Sequence, residues 1–115
     1  MPGELANVQF QPFTGAGAIA ETLAPGAKFR LLRIEAKWDA APSDSENFTV
    51  DLDAGDGATY DAEIDSVDPS VGSQTGLVFV YGVGYEYEAD DEIDIAYANT
   101  GTDTISGRIV YELEK

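Results

Sequence analysis

The sequence predicts an all-β domain: a two-sheet antiparallel β-sandwich of about eight strands, jelly-roll-like in preference to immunoglobulin-like. Apolar residues recur at period two along most of the chain. Clusters of Gly, Pro, Asp, Asn and Ser interrupt that alternation about every ten residues, the spacing of short strands and turns. The immunoglobulin Cys-Trp-Cys pattern is missing, since the chain has no cysteine.

The elements follow in order. "NVQFQ" reads as a strand within an N-terminal segment, residues 1–14, that serves as an extended arm or edge strand ahead of one sandwich domain over residues 15–115. "AIAETLA" reads as the next strand. In "LRIEAKWD" the set Leu32, Ile34, Ala36 and Trp38 alternates with Arg33, Glu35 and Lys37, so one face is buried and the other solvated. Phe29 and Leu31 have the opposite parity, which calls for a bulge near Leu31 or a segment buried on both faces. Phe48, Val50 and Leu52 then alternate with Thr49, Asp51 and Asp53, and Tyr60, Ala62 and Ile64 with Asp61, Glu63 and Asp65. "GLVFVYG" is apolar throughout, as expected of a strand covered on one side by the second sheet and on the other by a neighbouring subunit. It is the first candidate for an interface. After "VGYEYEADDE" come Ile93, Ile95 and Tyr97, a turn at "ANTGTDT", and a last strand with Ile105, Gly107, Ile109, Tyr111 and Leu113 on one face.

Composition bounds the chemistry. A chain of 115 residues buries roughly two-thirds of its unfolded surface and needs no staples. Without cysteine there are no disulfides, thiolate nucleophiles or zinc-thiolate sites. Without histidine the usual general base near neutral pH, the Ser-His-Asp and Cys-His arrangements and imidazole ligands are excluded. Carboxylate, tyrosine, serine and lysine chemistry remains. Asp and Glu outnumber Lys and Arg by 22 to 6, for a net charge of −16. Such a charge repels nucleic acid and anionic membrane, so a basic protein surface is the expected neighbour. An acid-rich, lysine-poor composition also suits a protein from a high-salt source, and that explanation needs no partner. "MPGELANVQF" has no basic or long apolar region and no eighteen apolar residues run together, so neither secretion nor membrane spanning is expected.

The most acidic stretch, "VDLDAGDGATYDAEID", suggests a calcium loop at first sight. Counted from Asp51, however, Gly55 stands where an oxygen ligand belongs, Asp56 where the turn glycine belongs, and Ala62 where the bidentate Glu belongs. A looser site at the tip would use Asp51, Asp53 or Asp56 with backbone carbonyls. The plainer reading is a hairpin turning at Gly55-Asp56-Gly57, with Asp51, Asp53, Asp61, Glu63 and Asp65 on one solvated face. "GAGAIA" at Gly15 and "GVGYEY" at Gly82 lack the third glycine of a dinucleotide loop and open no helix. "NFT" at Asn47 matches a glycosylation acceptor, but Phe48 faces a core and no secretion signal is present. Trp38, Tyr85 and Tyr87 suit sugar stacking, although at period two they fit core or interface positions better. No pair of carboxylates is singled out as a glycosidase would need.

The run "FRLLRIEAKWDAAPSDSENFTVDLDAGDGATYDAEIDSVDPS", followed by "DDEIDIAYANT" and a closing "GRIVYELEK", resembles small proteins from the structural gene modules of tailed bacteriophages. The shared pattern, "APTxSENxTV", "LDxxxGxxYD", "SxDPS" and "GDEIDxxxxNT", is matched at Ala41, Pro42, Ser45, Glu46, Asn47, Gly57, Tyr60, Asp61, Asp68, Pro69, Ser70, Asp91 to Asp94, Asn99 and Thr100. The likeness spans Phe29 to Lys115. It departs where Asp90 replaces a glycine. The resemblance implies a non-enzymatic virion protein without cofactor or metal, a trimeric cement or decoration protein held on the capsid exterior by the major capsid protein. A carbohydrate- or receptor-binding module of the phage tail is the alternative from another class.

Overall fold

In the computed structural model, residues 7–82 and 85–114 are described; they form eight strands and one short 3-10 turn. The strands are β1 (Val8–Gly15), β2 (Ile19–Leu23), β3 (Phe29–Trp38), β4 (Phe48–Asp53), β5 (Ala62–Val67), β6 (Gly76–Val80), β7 (Glu92–Tyr97) and β8 (Ile105–Leu113), with the 3-10 turn Ala58–Tyr60 between β4 and β5. They build two four-stranded sheets, a front sheet ordered β1-β8-β3-β6 and a back sheet ordered β2-β7-β4-β5. Every strand pairing is antiparallel. β1 pairs with β8, β2 with β7, β3 with β6 and β4 with β5, as in one long hairpin rolled onto itself. That is the jelly roll. β1, which takes in Val8 to Gln11 of "NVQFQ" while Asn7 lies in a turn before it, forms one edge of the front sheet.

Period two does the sorting. On β3, Ile34, Ala36 and Trp38 are buried while Arg33 and Lys37 are exposed; on β7, Ile93, Ile95 and Tyr97 are buried. The expected irregularity in β3 is present: the β3–β8 register shifts between Leu31 and Arg33, so a bulge at Leu32 returns Phe29 and Leu31 to the inner side. Between the sheets the aromatic rings converge. Phe48 of β4 lies 6.5 Å from Phe13 of β1, 5.9 Å from Trp38 of β3, 6.2 Å from Phe79 of β6 and 6.1 Å from Tyr97 of β7, centroid to centroid. Trp38 stands edge-on to Tyr97 at 5.4 Å. Phe48 is 0 % exposed and Trp38 1 %. Such edge and offset contacts add about 0.5–1.5 kcal/mol per pair beyond area burial.

Two expectations are corrected. Tyr60 is not an inward strand residue: it ends the 3-10 turn and is 64 % exposed. Asp65 is not on the solvated face with Glu63. The β4–β5 register shifts between Val50 and Asp51, leaving Ile64 as the extra residue of a bulge. Beyond that bulge Asp65 turns inward, and the Tyr81 hydroxyl donates to its Oδ2 at 2.7 Å. Burial, followed by the Asp65 carboxylate, pushes the Tyr81 hydroxyl pKa up.

The tightest approach in the front sheet is at Gly107, where a Cβ would overlap the Glu35 carbonyl oxygen and the Phe13 ring. Neither backbone nor buried ring can yield. Gly107→Ala is expected to cost about 1–3 kcal/mol, the range for overpacked cores, read as a lower urea midpoint at unchanged slope.

Candidate functional site

The outer face of the back sheet is built by the residues that alternate with its core. Thr22 pairs with Asp94, Asp94 with Asp51, and Asp51 with Glu63, so one row crosses all four strands with three adjacent carboxylates. Asp53 pairs with Glu92 at the row's flank. Asp51, Asp53, Asp61, Glu63 and Asp94 line a shallow depression of about 420 Å³. No Lys or Arg lies on the outward positions of these strands. Part burial, then Glu63 and Asp94, hold the Asp51 carboxyl above its ordinary pKa. The row has little internal relief: Thr22 Oγ1 donates to Asp94 Oδ1 at 2.7 Å.

At the hairpin tip the acidic side chains serve the backbone. Gly57, at φ 121, opens the 3-10 turn from a conformation that other residues rarely adopt. Asp61 Oδ1 accepts from the Ala54 N–H at 2.8 Å. Asp91 bridges two loops, accepting from the Gly55 N–H at 2.9 Å and the Glu88 N–H at 2.8 Å. Among the described residues, no three acidic side chains gather as metal ligands would.

Acidic and amide side chains have a similar role at the opposite end. Asp68 accepts from the hydroxyls of Ser45 (2.6 Å) and Ser70 (2.7 Å) and from the Ser70 N–H (3.0 Å). The Ser45 and Ser70 hydroxyls hold its pKa below the ordinary value. Glu46 takes the Thr100 N–H and hydroxyl, each at 2.7 Å. Asn99, 2 % exposed and at φ 53, donates to the carbonyls of Gly17 and Asp103 and accepts from the Asp103 N–H. These side chains replace strand pairing where the chain crosses between sheets.

The opposite outer face, on the front sheet, carries four cations, Arg30, Arg33, Lys37 and Arg108, against two carboxylates, Glu35 and Glu112. Glu35 accepts from Arg108 and Arg33, which lower its pKa despite partial desolvation. Arg30 lies 3.7 Å from Glu112, and the Arg108 guanidinium sits 5.0 Å above the Phe10 ring. Sequence reading missed this face as a unit. Its signal was present in the parity of Arg33, Glu35 and Lys37 on one strand and Arg108 on another, but their adjacency depends on the β3–β8 register.

The aromatic candidates separate. Trp38 and Tyr87 belong to the core, with Tyr87 stacked on Phe29 at 5.2 Å, while Tyr85 is exposed and meets Tyr87 edge-on at 4.6 Å. Gly15 ends β1, Gly82 is at φ 66, and Asn47 is exposed directly before the buried Phe48. Gly84 of the second glycine motif lies outside the described residues. No protein-family model, curated protein or solved structure matches the chain.

The two classes of carboxylate should titrate with opposite signs. Because the folded Asp51 pKa is raised, the folded state holds its proton more tightly, and stability falls as pH rises from 3.8 through the folded value. Asp51→Asn is therefore expected to stabilise at neutral pH, on the order of 0.5 kcal/mol, with the gain vanishing in acid. Asp68, with its lowered pKa, contributes stability above 3.8 that is lost as pH falls through the folded value. Asp68→Asn is expected to destabilise at neutral pH. Urea melts at neutral and acidic pH check both signs.

Proposed function

We propose that this chain is a non-enzymatic structural protein of a virion, a homo-oligomeric cement or decoration protein on the capsid exterior of a tailed phage. Its back-sheet face docks on a basic patch of the major capsid protein. The observation that carries this reading is the row Asp94–Asp51–Glu63, which keeps three like charges adjacent with no cation, among the described residues, on the outward positions of the same strands. Like charges opposite one another are destabilising in the free protein. A partner surface bearing Arg and Lys converts that cost into long-range attraction and register. The sequence likeness supplies the setting, and its motif residues support the reading as loop clasps, which a rigid, catalytically idle module requires. The same charge repels nucleic acid and anionic lipid.

A tail module that stacks sugars on aromatic rings has less support, because Trp38 and Tyr87 are buried and only Tyr85 of the three offers an open ring.

The test is rebinding to undecorated shells. The triple variant Asp51→Asn, Glu63→Gln, Asp94→Asn is expected to fold and to associate about ten-fold or more slowly at low salt, with the difference fading at high salt. Wild-type association that is indifferent both to salt and to these substitutions would refute the docking face. Selective binding on a glycan array would favour the tail module.

A further inference from the structure

A jelly roll has four sheet edges, and here three are protected. β1 contains Pro12, which has no N–H to offer, and the Gln11 side chain ties β1 to β2 by donating to the Glu21 carboxylate and the Thr22 carbonyl, both at 2.8 Å. β2 is covered by the same bridge. β5 carries the Ile64 bulge together with Glu63 and Asp65. Bulges, prolines and charges are the usual devices that stop a strand from pairing with another chain. β6, "GLVFV", has none of them.

The β6 backbone has a definite polarity. Thr75 accepts from the Trp38 N–H and the Tyr81 N–H donates to the Leu32 carbonyl, so the odd-numbered residues bond to β3. Alternation then turns the N–H and C=O groups of Gly76, Val78 and Val80 toward the open edge. Among the described residues, β6 pairs with no strand other than β3. The side chains of Val78 and Val80 point outward and are exposed, Val80 at 69 %.

Charge says what can cover this edge. A second copy approaching the back sheet would set one unrelieved acidic face against another. On the front-sheet face cations outnumber carboxylates, and its Arg33, Glu35 and Arg108 are already paired among themselves. We infer that the β6 edge is the self-association site, where β6 of a second copy pairs antiparallel about a two-fold axis midway between the two Val78 residues and joins the two front sheets into one eight-stranded sheet. Val78 then faces Val78 of the other copy, and Gly76 faces Val80. Glu35, in register with Val78 on the next strand, lies three strand spacings from its equivalent, about 14 Å, beyond the screening length at physiological salt. Because opposed residues in a sheet share a face, the axis stands perpendicular to the sheet and both acidic faces end on one side. The pair would therefore meet a basic surface with two copies of its docking face. This inference rests on the self-association in the proposed function and replaces the trimer implied by resemblance with a closed two-fold dimer.

Sedimentation over a concentration series, at low and high salt, reads the mass. The expected result is a species of twice the 12.2 kDa chain, strengthened by salt because each copy is anionic. That salt response is opposite in sign to the one expected for shell binding. Val78→Pro removes an N–H that points away from β3, so the internal ladder survives, and Val78→Lys sets two like charges on the axis. Both are expected to be monomeric with a wild-type circular dichroism spectrum. Should Val78→Pro fail to fold, Val78→Lys and hydrogen exchange decide, since the Gly76, Val78 and Val80 amides are expected to exchange more slowly as wild-type concentration rises. A wild-type monomer at every concentration, a trimer, or a dimer that survives Val78→Lys would overturn the inference. Shell rebinding by the monomeric variant tests the function separately. A dimer that ignores shells would refute the capsid role and leave the edge intact.

Discussion

Phe48 is the contact on which the arrangement depends. From β4 of the back sheet it touches rings from β1, β3 and β6 of the front sheet and from its own neighbour β7. Once it points inward, period two leaves no freedom: Val50 and Leu52 follow it in, and Thr49, Asp51 and Asp53 face out. Trp38 fixes β3 in the same way, sending Lys37, Glu35 and Arg33 to the opposite surface. The packing that excludes water from the rings also sorts the charges, placing carboxylates on one broad face and most of the few cations on the other.

That sorting separates two uses of acidic residues in a chain where they are common. Asp39, Glu46, Asp61, Asp68 and Asp91 accept backbone N–H groups in loops, which a jelly roll with many crossings must satisfy without ladders. Asp51, Asp53, Glu63, Glu92 and Asp94 lie on the outer sheet face, where Thr22 is the side chain that relieves one of them. A need for solvation in salt would explain acidic residues anywhere on the surface. It gives no reason for one sheet to exclude cations from its outer face while the other collects them.

The strands were legible because alternation is a local property: the inward sets on β7 and β8, and Ile34, Ala36 and Trp38 on β3, follow from residue type alone, and so did the irregularity at Leu31, although Leu32, read with the inward set, is itself the half-buried bulge residue. Asp65 was misread because its bulge leaves no mark in "AEIDSV"; the shift is set by pairing with β4. β6 hid its two faces because both are apolar, so nothing in "GLVFV" distinguishes buried Leu77 from exposed Val78. The loop clasps were invisible for a different reason. Gly55 meets Asp91 36 residues away, Glu46 meets Thr100 at 54 and Asp39 meets Thr104 at 65, and such partners exist only once the sheets have formed.

On the proposed reading, a strongly anionic protein that both associates with itself and attracts a basic surface faces a conflict. Charge pairs between copies that used the back-sheet carboxylates would remove them from the proposed docking face. Hydrogen bonds along a sheet edge avoid this, because N–H and C=O groups carry no net charge and their pairing is insensitive to the sign of the surroundings. An edge also adds no polar side chain that needs a partner when the protein is alone. The apolar residues of β6 fit that demand: Leu77 and Phe79 pack on the core and Val78 and Val80 face outward without charge, so in the proposed dimer the backbone between them would supply the recognition. In that proposal, exposed valines on an otherwise acid-rich surface would follow from the same constraint that concentrates the carboxylates on the other sheet.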